Sequence, residues 1–252
     1  MRKLKFKPSL LMSFFLLLSL NTHATTLKIG TSHYYPPFVL KGANQTLSGF
    51  DIDLMNKICS KLEAECTYTA MHFDELLPSL EQEKVDLVIS AITSTSDRKK
   101  QHTFSVPYMK SYGRLLVGNT LANKSEQFFL HGKKIGVEKG TVFESSLPLI
   151  APKSATIILD EDANRLVEKL IDGEIDVVLI DDPSAIWWTL NSSNKIRIIG
   201  DKFQVGEGLS IAISNKNKHL LPKINQAIAD TQNEKAFASL HDAYFSHNAL
   251  QQ

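Results

Sequence analysis

Two segments of the chain share one order of elements: a helix, a tight turn and an apolar strand that ends in polar residues. Residues 77–90, LPSLEQEKVDLVIS, resemble residues 165–181, RLVEKLIDGEIDVVLID. A short apolar run bounded by polar residues is typical of a strand that is covered on both faces in a parallel sheet. A chain with two such units is constrained to fold as two similar α/β lobes.

The first of these strands continues into VDLVISAITSTSDR, residues 85–98, which changes from apolar to hydroxyl-bearing side chains and ends at Arg98. Such a segment delivers polar groups to the carboxyl edge of a sheet, and open α/β sheets bind ligands at that edge. The guanidinium group has a planar fork of N–H donors that matches a carboxylate. We therefore predict that Arg98 binds a small carboxylate; the alternative is a solvated pair with Asp97.

Apolar spacing and turn residues predict a regular alternation of strands and helices. The predicted strands cover residues 27–31, 66–70, 85–90, 114–117, 134–138, 156–159, 175–180, 196–199 and 209–213. The predicted helices cover residues 51–62, 74–83, a segment that starts at Thr141, and residues 162–171, 183–190, 218–232 and 234–245. Asp51 is predicted to cap the first helix or to place a favourable negative charge at its start.

The order of these elements predicts that the first lobe is discontinuous. We assign residues 25–110 and 209–252 to lobe 1, and residues 111–208 to lobe 2 with a hinge strand at each of its ends. Two strands that cross between lobes form a hinge, and two lobes on a hinge enclose a cleft that can close. The predicted fold class is therefore α/β, with two lobes, two hinge strands and a ligand cleft between the lobes.

The first 24 residues have the organisation of a secretory signal peptide. Four basic residues precede an apolar run at residues 10–20, which is too short to span a bilayer, and small residues lead up to Ala24. We expect cleavage after Ala24 and a free periplasmic protein without direct membrane insertion. Removal of the peptide takes four of the 28 Lys and Arg residues and leaves 24 against 27 Asp and Glu. This balance does not favour nucleic acid as a partner.

The two cysteines, Cys59 and Cys66, are seven residues apart. In a secreted chain such a pair predicts a disulfide, which for a short loop contributes about 2–3 kcal/mol in the chain-entropy model. Two free buried thiols are the alternative. A metal site is disfavoured because no further His or Cys lies nearby at ligand spacing.

Several short motifs occur in an order and at spacings that together resemble the bacterial extracellular solute-binding proteins of family 3. The motifs are IGTxxxYxPF (29–38), GFDIDL (49–54), FDxLxPSL (73–80), DxxISxxTxTxxR (86–98), FSxPY (104–108), GxxxGT (136–141) and DVVLID (176–181). The resemblance covers nearly the whole chain after the signal peptide. It implies the type II fold of periplasmic binding proteins and the role of an amino-acid-binding component of an ABC importer. The cysteine pair is similar to the disulfide of the lysine/arginine/ornithine and histidine binders.

The resemblance also implies how the two charged ends of an amino acid are held. Arg98 would pair with the α-carboxylate in a bidentate geometry, supported by the N–H and hydroxyl groups of Thr93. Asp181 would bind the α-ammonium group, together with Thr93 and the Ala91 carbonyl. The ligand-binding residues that we predict are Ser32, Tyr35, Phe73, Ala91, Ile92, Thr93, Arg98, Glu138, Thr141, Val142 and Asp181.

Within this set, Tyr35 and Phe73 would enclose the ligand side chain, and the N–H groups of residues 140–142 would approach from the second lobe. Each assignment has a structural alternative. The two aromatic rings could be ordinary core residues, and either Asp181 or Asp182 could cap the helix that follows.

Three positions depart from the family pattern and bear on specificity. Ser32 occupies a position at which basic-amino-acid binders often carry an aspartate. Ala91 replaces a serine, although its backbone carbonyl is unaffected. Glu138 occupies a position that is commonly apolar and is expected to face the side-chain end of the pocket. A carboxylate there favours arginine or another basic amino acid.

The sequence thus predicts a binding protein that needs no cofactor, contains no metal site and no catalytic residue, is a monomer, and presents a basic L-amino acid to an inner-membrane ABC permease. A first alternative is an enzyme similar to cyclohexadienyl dehydratases, with Glu138 or His33 as the general acid. Asp181 argues against it, because that substrate has no α-ammonium group. A second alternative is a soluble amino-acid sensor that uses the same cleft.

Overall fold

The computed structural model describes residues 25–119 and 130–246. The predicted signal peptide lies outside the described residues. Within them, no helix is long and apolar enough to cross a membrane.

The described residues form fourteen strands and eight α-helices in a mixed α/β order. The strands are β1 (Thr25–Ser32), β2 (Leu40–Lys41), β3 (Leu47–Ser48), β4 (Ala64–Met71), β5 (Leu87–Val88), β6 (Thr93–Ser94), β7 (Thr103–Phe104), β8 (Tyr112–Gly118), β9 (Lys134–Glu138), β10 (Thr156–Asp160), β11 (Val177–Asp181), β12 (Ile196–Gln204), β13 (Gly208–Leu209) and β14 (Ala212–Ile213). The helices are α1 (Phe50–Lys61), α2 (Phe73–Glu81), α3 (Ser96–Gln101), α4 (Val142–Ile150), α5 (Ala163–Ile171), α6 (Asp182–Asn191), α7 (Leu221–Asn233) and α8 (Lys235–Phe245); a 3-10 helix, Asn215–Leu220, precedes α7.

Two five-stranded sheets organise the molecule, and their topologies match. The first has the order β4-β1-β5-β14-β7 and the second the order β10-β9-β11-β8-β12. In each sheet the first three strands are parallel and the last two are antiparallel additions. The repeated helix–turn–strand units, α2–β5 and α5–β11, occupy equivalent places. The predicted two-lobed fold is confirmed by this arrangement.

The chain passes between the two sheets twice, and the two passages lie side by side. Tyr108 N–H donates to the Leu209 carbonyl at 2.8 Å, and Leu209 N–H donates to the Met109 carbonyl at 2.8 Å. Further along, Val205 N–H donates to the Ser111 carbonyl at 3.1 Å. A paired two-stranded connection of this kind can bend as a unit, as a hinge requires.

The predicted disulfide is present. Cys59 on α1 is bonded to Cys66 on β4, and their Cα atoms are 6.2 Å apart. The link ties α1 to the edge strand of the first sheet, on which its apolar face packs. The alternative of two free thiols is wrong.

The segment after β5 differs from its prediction. Regular pairing covers only two residues of the predicted strand 85–90, and the chain then makes the short strand β6 and the helix α3, which was not predicted. All six residues of α3, SDRKKQ, are at least partly exposed, so α3 has no apolar stripe that a periodicity search could detect.

Candidate functional site

Arg98 lies on α3 and reaches across the cleft. Its backbone N–H donates to the hydroxyl of Thr95, which caps the helix, at 3.1 Å. Its guanidinium donates to the Thr93 carbonyl at 2.7 Å and, in the second lobe, to the Gly140 carbonyl at 2.6 Å. The guanidinium carbon also lies 5.9 Å from the centre of the Phe73 ring. The alternative, a solvated pair with Asp97, is not formed, since Asp97 pairs with Lys100.

Burial lowers the pKa of Arg98 to about 10, and the charge of Asp181 opposes this shift. Arg98 therefore remains a cation at neutral pH. Its two bonds to carbonyl oxygens use two of the five N–H donors of a guanidinium group. The remaining donors can form the bidentate pair that a carboxylate prefers.

Asp181 faces Arg98 from the other lobe as the last residue of β11. The Tyr35 hydroxyl, which belongs to the first lobe, donates to its carboxylate at 2.7 Å. The pKa of Asp181 is raised to about 7, mainly by burial and also by the charges of Asp51 and Asp182, while the Tyr35 hydrogen bond and Arg98 act in the opposite direction. The surroundings of Asp181 therefore do not fully stabilise its ionised carboxylate.

The adjacent acid, Asp182, has a different environment. It forms ion pairs with Arg114 at 2.7 Å and with Lys202 at 3.2 Å. Helix α6 begins at Asp182, with Asp181 at its N-cap position but without a side-chain capping hydrogen bond. Of the two acids, Asp181 is the one whose carboxylate bonds across the cleft.

Glu138 is the last residue of β9 and is only 8% exposed. Burial raises the pKa of its carboxyl well above the usual value, and the charges of Asp162 and Asp181 add to the effect. Ser32, at the end of β1, is buried and accepts a hydrogen bond from the Ser90 hydroxyl at 2.6 Å. An ionised Glu138 would be costly here without a cationic partner.

The loop that precedes Arg98 is fixed by an acid whose role the sequence did not reveal. Asp51 does not cap α1, because Gly49 occupies the N-cap position. Its buried carboxylate accepts the Ala91 N–H at 2.5 Å and the Tyr108 hydroxyl at 2.9 Å. Ala91 has a φ of 46°, which an L-residue adopts rarely, and the bond from its N–H to Asp51 stabilises this conformation.

The neighbouring predicted residues are partly engaged within the protein. The Ile92 side chain is fully buried in an apolar cluster, so only its backbone is available near the cleft. The Thr93 hydroxyl lies 2.8 Å from the Ser111 hydroxyl. The Thr141 hydroxyl donates to the Glu138 carbonyl at 2.7 Å. Val142 begins α4, so its N–H group is one of those that a helix leaves free at its start.

A pocket between the lobes brings predicted and unpredicted residues together. Its lining residues are Ser32, His33, Tyr34, Met71, His72, Phe73, Glu138, Glu161, Asp162 and Asn164. Residues 161–164 follow the carboxyl end of β10, so the same sheet-edge rule that selected Arg98 would have found them. From the sequence, that segment was predicted only as the start of a helix.

Several contacts hold the lobes together around this pocket. Lys139 pairs with Asp74 at 2.7 Å, and the Asn164 amide donates to the Tyr34 carbonyl at 3.3 Å. Arg98, Asp181 and Glu138 therefore lie where the two lobes meet, with Asp181 and Glu138 buried and Arg98 partly exposed. In the described part of the chain, no three His, Cys, Asp or Glu side chains are arranged to hold a metal ion.

Comparison with known proteins gives one family. The model of the bacterial extracellular solute-binding proteins, family 3, matches residues 27–247. The ABC transporter arginine-binding protein 1 of Escherichia coli K12 is 34% identical over 226 residues, which cover 88% of this chain and 91% of that protein. The L-cystine-binding protein of the same organism is 30% identical over 222 residues, or 87% of this chain and 82% of that protein.

Among solved structures, the chain is similar to an arginine transport periplasmic binding protein from Legionella pneumophila. The TM-score is 0.82 at 35% identity, and the match covers 88% of this chain and all of that one.

Proposed function

Since the chain belongs to the bacterial extracellular solute-binding proteins of family 3, we propose that it is the periplasmic substrate-binding component of an ABC importer and that it closes its two lobes around a basic L-amino acid, arginine being favoured. The relatives named above are binding proteins and not enzymes. A cationic ligand also agrees with the acidic surroundings of the cleft.

The observation that carries this proposal is the opposition of Arg98 and Asp181 across the cleft. An amino acid is a zwitterion, and a cation and an acid from different lobes provide one partner for each of its charges. In this arrangement Arg98 binds the α-carboxylate, helped by Thr93 and by the N–H groups near Val142. Asp181 binds the α-ammonium group with the Ala91 carbonyl. Unpaired charges in a desolvated cleft are costly, so analogues that lack either group bind poorly.

The ligand side chain extends toward Glu138 in this proposal. Glu138 is buried, and the charges of Asp162, Asp181 and Asp74 all raise its pKa, so a cationic group on the ligand would stabilise the ionised carboxyl. A guanidinium group supplies such a charge. Tyr35 and Phe73 flank the path between the two ends, and Glu138 replaces the acid that is missing at Ser32.

The lobes of this receptor are residues 25–110 with 209–252, and residues 111–208, joined by the paired passages at 108–111 and 205–209. We place the mature protein in the periplasm, with its signal peptide removed after Ala24. It acts as a monomer that delivers its ligand to an inner-membrane permease. The family name and the periplasmic relative support this location.

Isothermal titration calorimetry of the purified mature protein against the twenty amino acids tests the proposal. We expect arginine to bind most tightly, with micromolar or better affinity, which corresponds to a binding free energy of about −8 kcal/mol or a more negative value. Turnover of prephenate or arogenate is measured in parallel. A tighter neutral or acidic ligand would overturn the assignment to basic amino acids, and turnover would overturn the binding role.

A further inference from the structure

Asn164 is the second residue of α5 and lines the pocket between the lobes together with Glu138, Ser32 and Phe73. It follows Asp162, whose side chain caps the helix by accepting the Asn164 N–H at 2.8 Å. The asparagine therefore lies at the carboxyl edge of the second sheet, beside the acid to which the ligand side chain extends.

The orientation of the Asn164 amide is fixed by its partners. Nδ2 donates to the Asp162 carboxylate at 2.7 Å and to the Tyr34 carbonyl of the first lobe at 3.3 Å. Both partners are acceptors only, so the amide end that meets them must be the NH2 group. Oδ1 consequently occupies the opposite end of the amide.

Oδ1 of Asn164 is buried and has no hydrogen-bond donor among the described residues. Four buried side-chain oxygens share this condition there: Thr31 Oγ1, Asn164 Oδ1, Ser184 Oγ and Thr189 Oγ1. Of these four residues, Asn164 is the one that lines the interlobe pocket. Buried acceptors in native proteins are nearly always paired, and an unpaired one in a binding pocket indicates a donor on the ligand.

Given the proposed function, we propose that Asn164 is a specificity-determining residue that accepts a hydrogen bond from the ligand guanidinium through Oδ1 and thereby selects arginine over lysine. The guanidinium has five N–H donors in a rigid plane, so it can reach Glu138 and Asn164 together. The lysine ammonium is a compact point charge that pairs with Glu138 but has no fixed fork to serve both acceptors.

The same amide couples recognition to closure. Nδ2 bonds the Tyr34 carbonyl of the first lobe, and that bond exists only when the lobes are together. Asn164 therefore presents Oδ1 to the ligand in the closed arrangement, and arginine is distinguished from lysine at the moment of closure.

Two variants of Asn164 separate an acceptor role from a structural one. Asn164→Leu removes both ends of the amide at similar volume, whereas the conservative variant Asn164→Gln keeps the oxygen acceptor and the NH2 donor. A hydrogen bond to a charged group is equivalent to about 10- to 100-fold in affinity. By calorimetry we expect Asn164→Leu to lower arginine affinity by about this factor, lysine affinity to change by about threefold or less, and Asn164→Gln to recover most of the arginine affinity.

The matched control is Asn119→Leu, since the Asn119 amide belongs to the same lobe and donates to the Asn194 carbonyl at 2.8 Å outside this pocket. It should leave both affinities unchanged. Equal losses for arginine and lysine in Asn164→Leu would overturn the inference, as would unchanged arginine binding in Asn164→Leu. Those outcomes leave the proposed function intact, whereas wild-type protein that binds no basic amino acid defeats the proposed function itself.

Discussion

The two charged poles of the cleft are built in different ways. Arg98 lies on a short helix well beyond the end of β5, and its guanidinium is held by the carbonyl oxygens of Thr93 and Gly140 at 2.7 and 2.6 Å. Asp181 is the last residue of β11, and its carboxylate accepts the Tyr35 hydroxyl at 2.7 Å. The basic pole is thus positioned by neutral dipoles from both lobes, and the acidic pole by the hydroxyl of an opposing ring.

The electrostatic states of the poles differ as well. Burial lowers the pKa of Arg98 to about 10, which leaves it charged at neutral pH. Burial raises the pKa of Asp181 to about 7 and that of Glu138 well above its usual value. Arg98 is thus charged before a ligand binds, whereas the proposed function requires Asp181 and Glu138 to ionise as a cation binds. In that proposal Arg98 and Asp181 bind the two groups that all amino acids share, and Glu138 selects the side chain.

The sharpest test of this contrast is Arg98→Ala. Loss of a bidentate charged pair should lower the affinity for every amino acid by at least about 100-fold, because all of them share the α-carboxylate. Calorimetry with arginine, lysine and glutamine measures the effect. Lys100→Ala, which removes an exposed cation paired with Asp97 on the same helix, should change nothing. If Arg98→Ala retains arginine affinity within about tenfold of wild type, the α-carboxylate is bound elsewhere.

The position of the basic pole could be predicted from the sequence, but its support could not. A strand that changes into hydroxyl residues and an arginine is a local pattern, and it predicted that Arg98 follows the carboxyl end of β5; the position of Arg98 on α3 was not predicted. Asp51, which fixes the loop before Arg98, bonds to Ala91 and Tyr108, 40 and 57 residues away. Local patterns contain no information on such partners, so Asp51 was interpreted only as a cap or a favourable charge at the start of α1.

The acidic pole shows the same limit. Asp181 ends an apolar strand and was predicted from that pattern together with the family resemblance, whereas Glu138 was predicted from the resemblance alone. Asn164 was missed because its helical spacing explained the segment fully. Its significance depends on the partners of its amide. Nδ2 donates to Tyr34 and Asp162, whereas Oδ1 has no donor among the described residues. That asymmetry exists only in three dimensions.

Glu138, the second buried acid of the cleft, is tested by Glu138→Gln, for which we expect a smaller and selective effect. A charged hydrogen bond becomes a neutral one, so arginine affinity should fall by about tenfold while glutamine affinity stays the same or rises. Stability should move in the opposite direction. The pKa of Glu138 is higher in the folded protein than in the unfolded protein, so the free energy of unfolding decreases as pH rises. The variant has no carboxyl to ionise and does not lose this stability.

Calorimetry and thermal unfolding at pH 8 measure the two effects. Glu168→Gln, an exposed acid on α5, is the control that should leave both quantities unchanged. Equal losses of affinity for arginine and glutamine in Glu138→Gln would mean that Glu138 contributes to the shape of the pocket and does not interact with the charge of the ligand.

The smallest effect expected is the contribution of Asp181 to the pH dependence of binding. The Asp181 carboxyl has a pKa of about 7, and the α-ammonium of the ligand lowers it, so binding releases protons near neutral pH. Affinity should therefore fall as pH falls, by about threefold between pH 7.5 and 6.5 from Asp181, and ionisation of Glu138 on binding adds to the fall. Titrations in buffers of different ionisation enthalpy count the protons. Asp181→Asn should bind more weakly at pH 7.5 and show a shallower slope. A wild-type affinity that is constant over this range would mean that Asp181 is already ionised without ligand, and the two poles would then be electrostatically alike.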